Sequence, residues 1–321
     1  MVEKSPPAVH EYIVPLGVSA AVPSGDRHFA SVAFVAERFV VLFDCGEGTQ
    51  FRLLDAGIKT SRIAAIAISH AHGDHYLGLP GLLSTMTMQH RTEPLTLICP
   101  TSIAVLLEAM PGIGGDYRPF ELDVRAIEAD FTAGELFTTG AGDPDTGCTI
   151  AAEALDHTIE TYGYRLTRPD RPGNLDVERA RALGVTDYED YRRLKEGKAV
   201  RSITGDAIRP DAVVSDPVPG RVFAYVSDSR PCDAAVRLGR NADLLYHEAT
   251  FGAERTDRAN ETGHSTAAQA AGVARRADVA RLLLGHFSAR YDDASVLETE
   301  ARSVFANTAA ARELERYYLD A

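Results

Sequence analysis

The chain has 321 residues, 45% hydrophobic and 25% charged, with a formal net charge of -13, as expected of one large or two ordinary soluble globular domains. No apolar run approaches the ~18 residues of a membrane span, the first residues lack the apolar stretch of a secretory signal, and four scattered cysteines suggest neither a disulfide scaffold nor a thiolate zinc site; a cytoplasmic protein with reduced thiols is expected. The acidity argues against a general nucleic-acid binder, so an RNA substrate would need locally concentrated positive charge; the same acidity could also simply serve solubility.

Along the chain, short apolar or β-branched runs stop abruptly at polar residues able to bind metal. Arg38-Phe-Val-Val-Leu-Phe43 runs into Asp44-Cys-Gly-Glu-Gly-Thr-Gln50, and residues 63–68 into Ser69-His-Ala-His-Gly-Asp-His75. Helical patterns follow at 79–89 and 102–110. Residues 149–155 lead to Asp156-His157, 222–226 to Ser227-Asp-Ser229, 242–246 to His247-Glu-Ala-Thr250, and 281–284 to Gly285-His286. Ser265-Thr-Ala-Ala-Gln reads as a capped helix start. Length and residue type make the apolar runs buried strands. Their alternation with helices predicts an α/β protein with ligands at strand ends.

One stretch breaks the pattern. Residues 165–201 are polar, contain Pro169 and Pro172, and carry ten Lys/Arg against seven Asp/Glu. With its surroundings, at about 165–205, it reads as an arm projecting from a single domain spanning 1–321. A solvated loop kept soluble by its charges is the other reading.

The strongest signal is His70-x-His72-x-Asp74-His75 after a strand. In a tight loop, His70 and His72 can hold one ion while Asp74 and His75 face a second. Two metals roughly 3.5–4 Å apart can clamp the attacking and leaving oxygens of a phosphoryl displacement. Imidazole and carboxylate without thiolate suit zinc, with manganese, iron or cobalt also accepted. His157, Asp228 and His286 close other strands and are candidate further ligands, the aspartate able to bridge. Seven of the ten histidines (70, 72, 75, 157, 247, 264 and 286) fall in such motifs. Singly, each could be an ordinary core histidine; their joint placement points to a site.

Together these residues resemble the metallo-β-lactamase superfamily and, within it, the ribonuclease Z family of tRNA 3′-end endonucleases. The metal loop with Tyr76-Leu-Gly-Leu-Pro-Gly-Leu-Leu83, the acidic strand end 43–50, and the runs Tyr246-His-Glu-Ala-Thr-Phe251, Gly263-His-Ser-Thr-Ala267 and Gly285-His-Phe-Ser-Ala-Arg-Tyr291 carry the likeness over nearly the whole chain. The resemblance implies a four-layer αββα sandwich and two divalent ions. His70, His72 and His157 would hold the first, Asp74, His75 and His286 the second, and Asp228 would bridge. It implies further that Asp74 orients an attacking water and accepts its proton, and that His264 protonates the leaving 3′-oxygen. Glu248 would orient His264 or a ligand, or else make a structural hydrogen bond at its strand end; Asp44 would hold the metal loop. A homodimer acting on precursor tRNA is the implied assembly. Another small or cyclic nucleotide diester is the rival substrate, and a non-catalytic RNA-binding relative the rival class.

Three departures bear on substrate. Where the family carries Pro-x-Lys-x-Arg-Asn, this chain has Pro23-Ser-Gly-Asp-Arg-His28. Val18 follows Leu16-Gly17 where the family has threonine. Tyr191-Arg-Arg-Leu-Lys-Glu-Gly197 resembles the far side of the family's RNA-gripping arm, but Val185-Thr-Asp-Tyr-Glu-Asp190 replaces its Gly-Pro tip with acidic residues.

Overall fold

Alternation of side chains along each strand builds two stacked sheets, because a strand presents successive residues to opposite faces. The computed structural model describes residues 11–319 except 23, 26, 111, 112, 114–117, 141, 142 and 144; the leader reading at 1–10 and Pro23 lie outside the described residues. In Val40–Phe43, Val41 and Phe43 face the second sheet while Val40 and Leu42 face outer helices. Ile63–Ala67 divides the same way, Ala65 and Ala67 inward and Ile66 outward.

The first seven-stranded sheet runs in the order Tyr317–Tyr318, Tyr12–Gly17, Ser31–Val35, Val40–Phe43, Ile63–Ala67, Leu95–Pro100, Leu122–Ile127. Pairing is antiparallel as far as Val40–Phe43 and parallel beyond it. The second runs Thr308–Ala310, Leu282–Gly285, Leu244–Glu248, Val222–Val226, Tyr162–Thr167, Cys148–Ala154, Ala133–Thr139. Its first four strands are parallel and the rest antiparallel. Helices Thr49–Asp55, Leu79–Met88 and Thr101–Glu108 cover the outer face of the first sheet, and Asp233–Gly239, Ala267–Ala277 and Ser295–Arg302 cover the second. The expected αββα sandwich is therefore present. Among the described residues, no helix is long and apolar enough to cross a membrane.

The sheets meet on an aromatic cluster. The Phe43 ring lies 5.3 Å from Phe223, 5.4 Å from Tyr225 and 6.1 Å from Tyr164, centroid to centroid. This cluster sits under the strand ends that carry the polar motifs.

The arm differs from its sequence reading. It occupies 168–221, between strands Tyr162–Thr167 and Val222–Val226, and holds two helices, Val177–Ala182 and Tyr188–Lys195, where the sequence suggested one. A core of its own contains Ala180, Val185, Leu194, Val200, Ile208 and Val213. The acidic run at 187–190 starts the second helix: Asp187 caps it by accepting the Glu189 N–H, and Glu189 and Asp190 occupy its first turn. Negative charge there complements the helix dipole, which explains acidic residues in an otherwise basic arm.

Phe43→Ala should destabilise the fold by about 3–5 kcal/mol, the usual cost of deleting a buried aromatic ring; urea unfolding of the two proteins measures it.

Candidate metal centre

Each half of the sandwich contributes strand ends to one rim. The first sheet supplies Asp44 and the loop 69–76. For these loops to interlock, their backbones must approach closely: Cys45 N–H donates to His75 O at 2.7 Å and Gly78 N–H to Cys45 O at 2.9 Å. A Cβ on Gly46 would lie 2.5 Å from Asp74 O, and one on Gly78 2.0 Å from Gly46 O; only glycine allows this approach. On the second sheet, a Cβ on Gly285 would strike the Tyr246 hydroxyl at 1.8 Å. Asp44 (φ 58) and His286 (φ 55) both adopt left-handed backbone, a costly conformation for residues with a Cβ and one that concentrates at functional sites.

These turns bring all seven predicted ligands together. His70, His72, His157 and Asp228 offer ligand atoms within 4.8 Å of one another, as do Asp74, His75 and His286. Asp228 lies between the sets. Its Oδ2 is 3.6 Å from His70 Nε2 and 3.9 Å from His157 Nε2, and its Oδ1 is 3.5 Å from His75 Nε2 and 3.2 Å from His286 Nδ1. Asp228, His264 and His286 form a third, overlapping group. His247 is not part of the cluster: it is fully buried, its Nδ1 donating to Glu248 O at 2.7 Å.

The rings are held from outside, leaving their inner nitrogens bare. His75 Nδ1 donates to Asp44 Oδ2 (2.7 Å) and His157 Nδ1 to Gly263 O (2.7 Å), while His70 Nδ1 meets Ser69 Oγ (2.9 Å). His70 Nε2 then lies 3.0 Å from His72 Nδ1, and His75 Nε2 3.2 Å from His286 Nε2. Lone pairs so close repel unless a cation or proton lies between them. His157 Nε2 and Asp228 Oδ1 are buried without a hydrogen-bond partner, and such atoms call for one. The donor set therefore fits divalent metal ions.

The titration behaviour agrees. Burial lowers the pKa of His70, His72 and His157, which favours the neutral form that binds metal. Burial would raise Asp74 and Asp228, but the surrounding histidines outweigh it and hold both carboxyls well below the usual range. His75 goes the other way: burial lowers it, but Asp228 and Asp44 raise it well above the imidazole range. Positive charge is favoured there, whether carried by a proton or a metal ion.

At the rim, His264 Nδ1 lies 3.1 Å from Glu248 Oε1. Burial tends to lower the pKa of His264, but the Glu248 carboxylate more than compensates and pushes it up to about 9. Glu248 is fully buried and also accepts from Ser229 N, Thr250 N, Thr250 Oγ1 and Ser265 N at 2.8–3.2 Å. Its carboxylate therefore lies between the His264 ring and the backbone at its own strand end. Asp44 accepts from Ser69 N (2.7 Å), Ser69 Oγ (2.9 Å) and Tyr225 Oη (2.7 Å) besides His75.

Sequence reasoning missed three supports. Thr250 places its hydroxyl 3.0 Å from His286 Nδ1; it ends the quoted His-Glu-Ala-Thr run, which was a usable signal. Tyr225 is one more apolar-run residue until the sheets are stacked. The Ala21 N–H, which donates to Asp74 Oδ2 at 2.8 Å, leaves no trace in residue type.

Asp44→Asn should weaken metal affinity about 10–100-fold, as removal of groups that orient ligands does, because the amide cannot accept from all these donors. Chelator competition measures it, and unchanged affinity would show that Asp44 does not support the centre.

Comparison with known proteins agrees with this geometry. A family model described as anti-Pycsar protein Apyc1 matches residues 12–110. Ribonuclease Z of Salinibacter ruber is 47% identical over 309 residues, 96% of this chain and 94% of the relative. Ribonuclease BN of Escherichia coli is 37% identical over 304 residues, 93% of this chain and 96% of the relative. Among solved structures, human tRNase Z, short form, superposes with a TM-score of 0.68 at 25% identity, covering 95% of this chain and 98% of that one. The metallo-β-lactamase fold protein YhfI from Bacillus subtilis, at 18% identity, has a TM-score of 0.68 over 97% of this chain and 99% of its own, and bears on the fold alone. With the strand-end histidines and aspartates in place and full-length relatives above one-third identity, the chain belongs to the ribonuclease Z family of the metallo-β-lactamase fold.

Proposed function

We propose that this protein is a metal-dependent endoribonuclease that removes the 3′ trailer from tRNA precursors. His70, His72 and His157 would hold one divalent ion and Asp74, His75 and His286 a second, with Asp228 between the two sets. The observation that carries this reading is Asp228, whose two oxygens face the two sets separately. The ions are assigned as zinc, with Mn2+, Fe2+ or Co2+ accepted by the same donors. When bound, such a pair lowers the pKa of a water and offsets charge developing on the phosphodiester.

The chain's own residues do the rest. Asp74, fixed at Oδ2 by the Ala21 N–H, orients the attacking water and takes its proton. His264, anchored at Nδ1 by Glu248, is free to donate from Nε2 to the leaving 3′-oxygen. Glu248 cannot swing away, since four other donors hold it.

Residues 1–321 form one domain in this reading, and the arm grips RNA away from the cut. Arg179, Arg181, Arg193 and Arg201 are exposed on it, local positive charge on an acidic protein. The assembly is a homodimer. Phe51 and Leu54, 64% and 77% exposed on one helix, wall a groove of about 610 Å³ with Ile58, an apolar face suited to a second copy. Processing of tRNA precursors would place the protein in the cytoplasm.

A 3′-extended tRNA precursor incubated with zinc-loaded protein should be cut once, beside the discriminator base. No cut, with brisk hydrolysis of a small aryl diester, would keep the metal chemistry but move the substrate to a smaller or cyclic diester. Asp74→Ala should slow the cut about 10²–10⁴-fold; full activity would sink the proposed mechanism. In sedimentation, the wild type should run at twice the chain's 34.6 kDa and Leu54→Glu as a monomer.

A further inference from the structure

The loop 18–28 reaches the metal cluster through a backbone group, the Ala21 N–H on Asp74 Oδ2. To do so it adopts an unfavourable shape: Ala21 has φ 60, a left-handed conformation that costs an L-residue energy. Such a loop must be held by ties elsewhere. Its base is closed by Ser19 N–H on His28 O, and backbone bonds join Ala20 and Val18 to Phe287, next to His286. On another side, Val18, Arg27, Phe287 and Arg312 line a cavity of about 350 Å³ together with Glu313.

Glu313 reaches the loop directly. Its Oε1 accepts from His28 N (2.6 Å) and Val18 N (3.3 Å). Its Oε2 faces His28 Nδ1 (2.8 Å) and Arg52 Nη2 (3.0 Å). The carboxylate is only 10% exposed. Arg52 also donates from Nε to Leu16 O, and Leu314 N–H donates to Pro15 O, so the segment after strand Thr308–Ala310 of the second sheet is laced to the first strand of the other. Val18 and His28, the two loop ends that depart from the resembled pattern, are both Glu313 partners.

We propose that Glu313 is a positioning residue for the reaction: it clamps both ends of loop 18–28, and the loop in turn fixes Asp74 through the Ala21 N–H. This role rests on the functional reading given above. Glu313 touches neither the predicted ligands nor His264. Its route to the site is the loop, its other partner Arg52 lying on helix Thr49–Asp55, so it acts on turnover more than on substrate affinity.

The test has two arms. In metal-free protein, Glu313→Ala should make the amides of 18–28 exchange with deuterium about tenfold faster, the scale of losing hydrogen bonds to a charged group, while helix Ala267–Ala277 exchanges as in wild type. In zinc-loaded protein at equal metal content, kcat toward bis(p-nitrophenyl) phosphate should fall about tenfold with KM within about twofold of wild type. Glu313→Gln, which keeps an acceptor for the His28 N–H, should recover part of both effects. Wild-type exchange across 18–28, or wild-type kcat at full metal occupancy, would overturn the proposal. A parallel rise in exchange in helix Ala267–Ala277 would overturn it as well, as general destabilisation. A wild type that neither cuts the tRNA precursor nor hydrolyses the diester would instead overturn the functional reading, and the exchange arm would then decide the clamp by itself.

Discussion

The buried carboxylate of Asp44 is the contact on which the rest of the site depends. Taking an ionised carboxylate out of water costs several kcal/mol unless it is paired and fully hydrogen-bonded. Here it receives Ser69 N and Ser69 Oγ from the metal loop, the His75 ring, and Tyr225 Oη from the opposite sheet. Bonds to a charged group contribute about 1.5–3 kcal/mol each, so the set can offset the desolvation. One side chain thus sets the orientation of the loop, the tautomer of His75 and the registry of the two sheets at the rim. The left-handed backbone of Asp44 fits this demand, since aspartate tolerates that region better than most residues.

The second sheet repeats the device with Glu248. This carboxylate is also fully buried and ties three segments, at Ser229, Thr250 and Ser265, while orienting His264. Each half of the sandwich therefore has one internal anion at a parallel strand end, and each anion orders side chains that face the common cluster. The bare inner nitrogens of the histidines follow from this arrangement, because their outer nitrogens are taken by Asp44, Gly263 O and Ser69. Such preorganisation lets the centre receive metal without rearranging the strands that carry it.

The chain as a whole is acidic, yet exposed arginines gather on an arm with a small core of its own. Within the arm, acidic residues serve local structure. Asp187 caps a helix, and Glu189 and Glu196 pair with Arg192 along it. Exposed pairs of this kind contribute little to stability.

The amino-acid sequence by itself determined the six strands that stop at polar residues and the seven ligand candidates, because apolar runs stopping at His and Asp are local patterns; strands without such an ending, among them Tyr12–Gly17, Ser31–Val35 and Leu95–Pro100, went unread. It also carried the family likeness, in motifs such as Ser69-His-Ala-His-Gly-Asp-His75 and Gly285-His286. The arm was less legible: its second helix starts at an aspartate cap and buries only a few residues, too little apolar pattern to read. Only the tertiary structure decided that His247 turns away while Glu248 turns in, that Tyr225 reaches Asp44, and that Glu313 meets a loop nearly three hundred residues earlier. The last two contacts join segments from the two sheets. Their existence depends on how the sheets stack and on backbone N–H groups, which every residue type but proline provides.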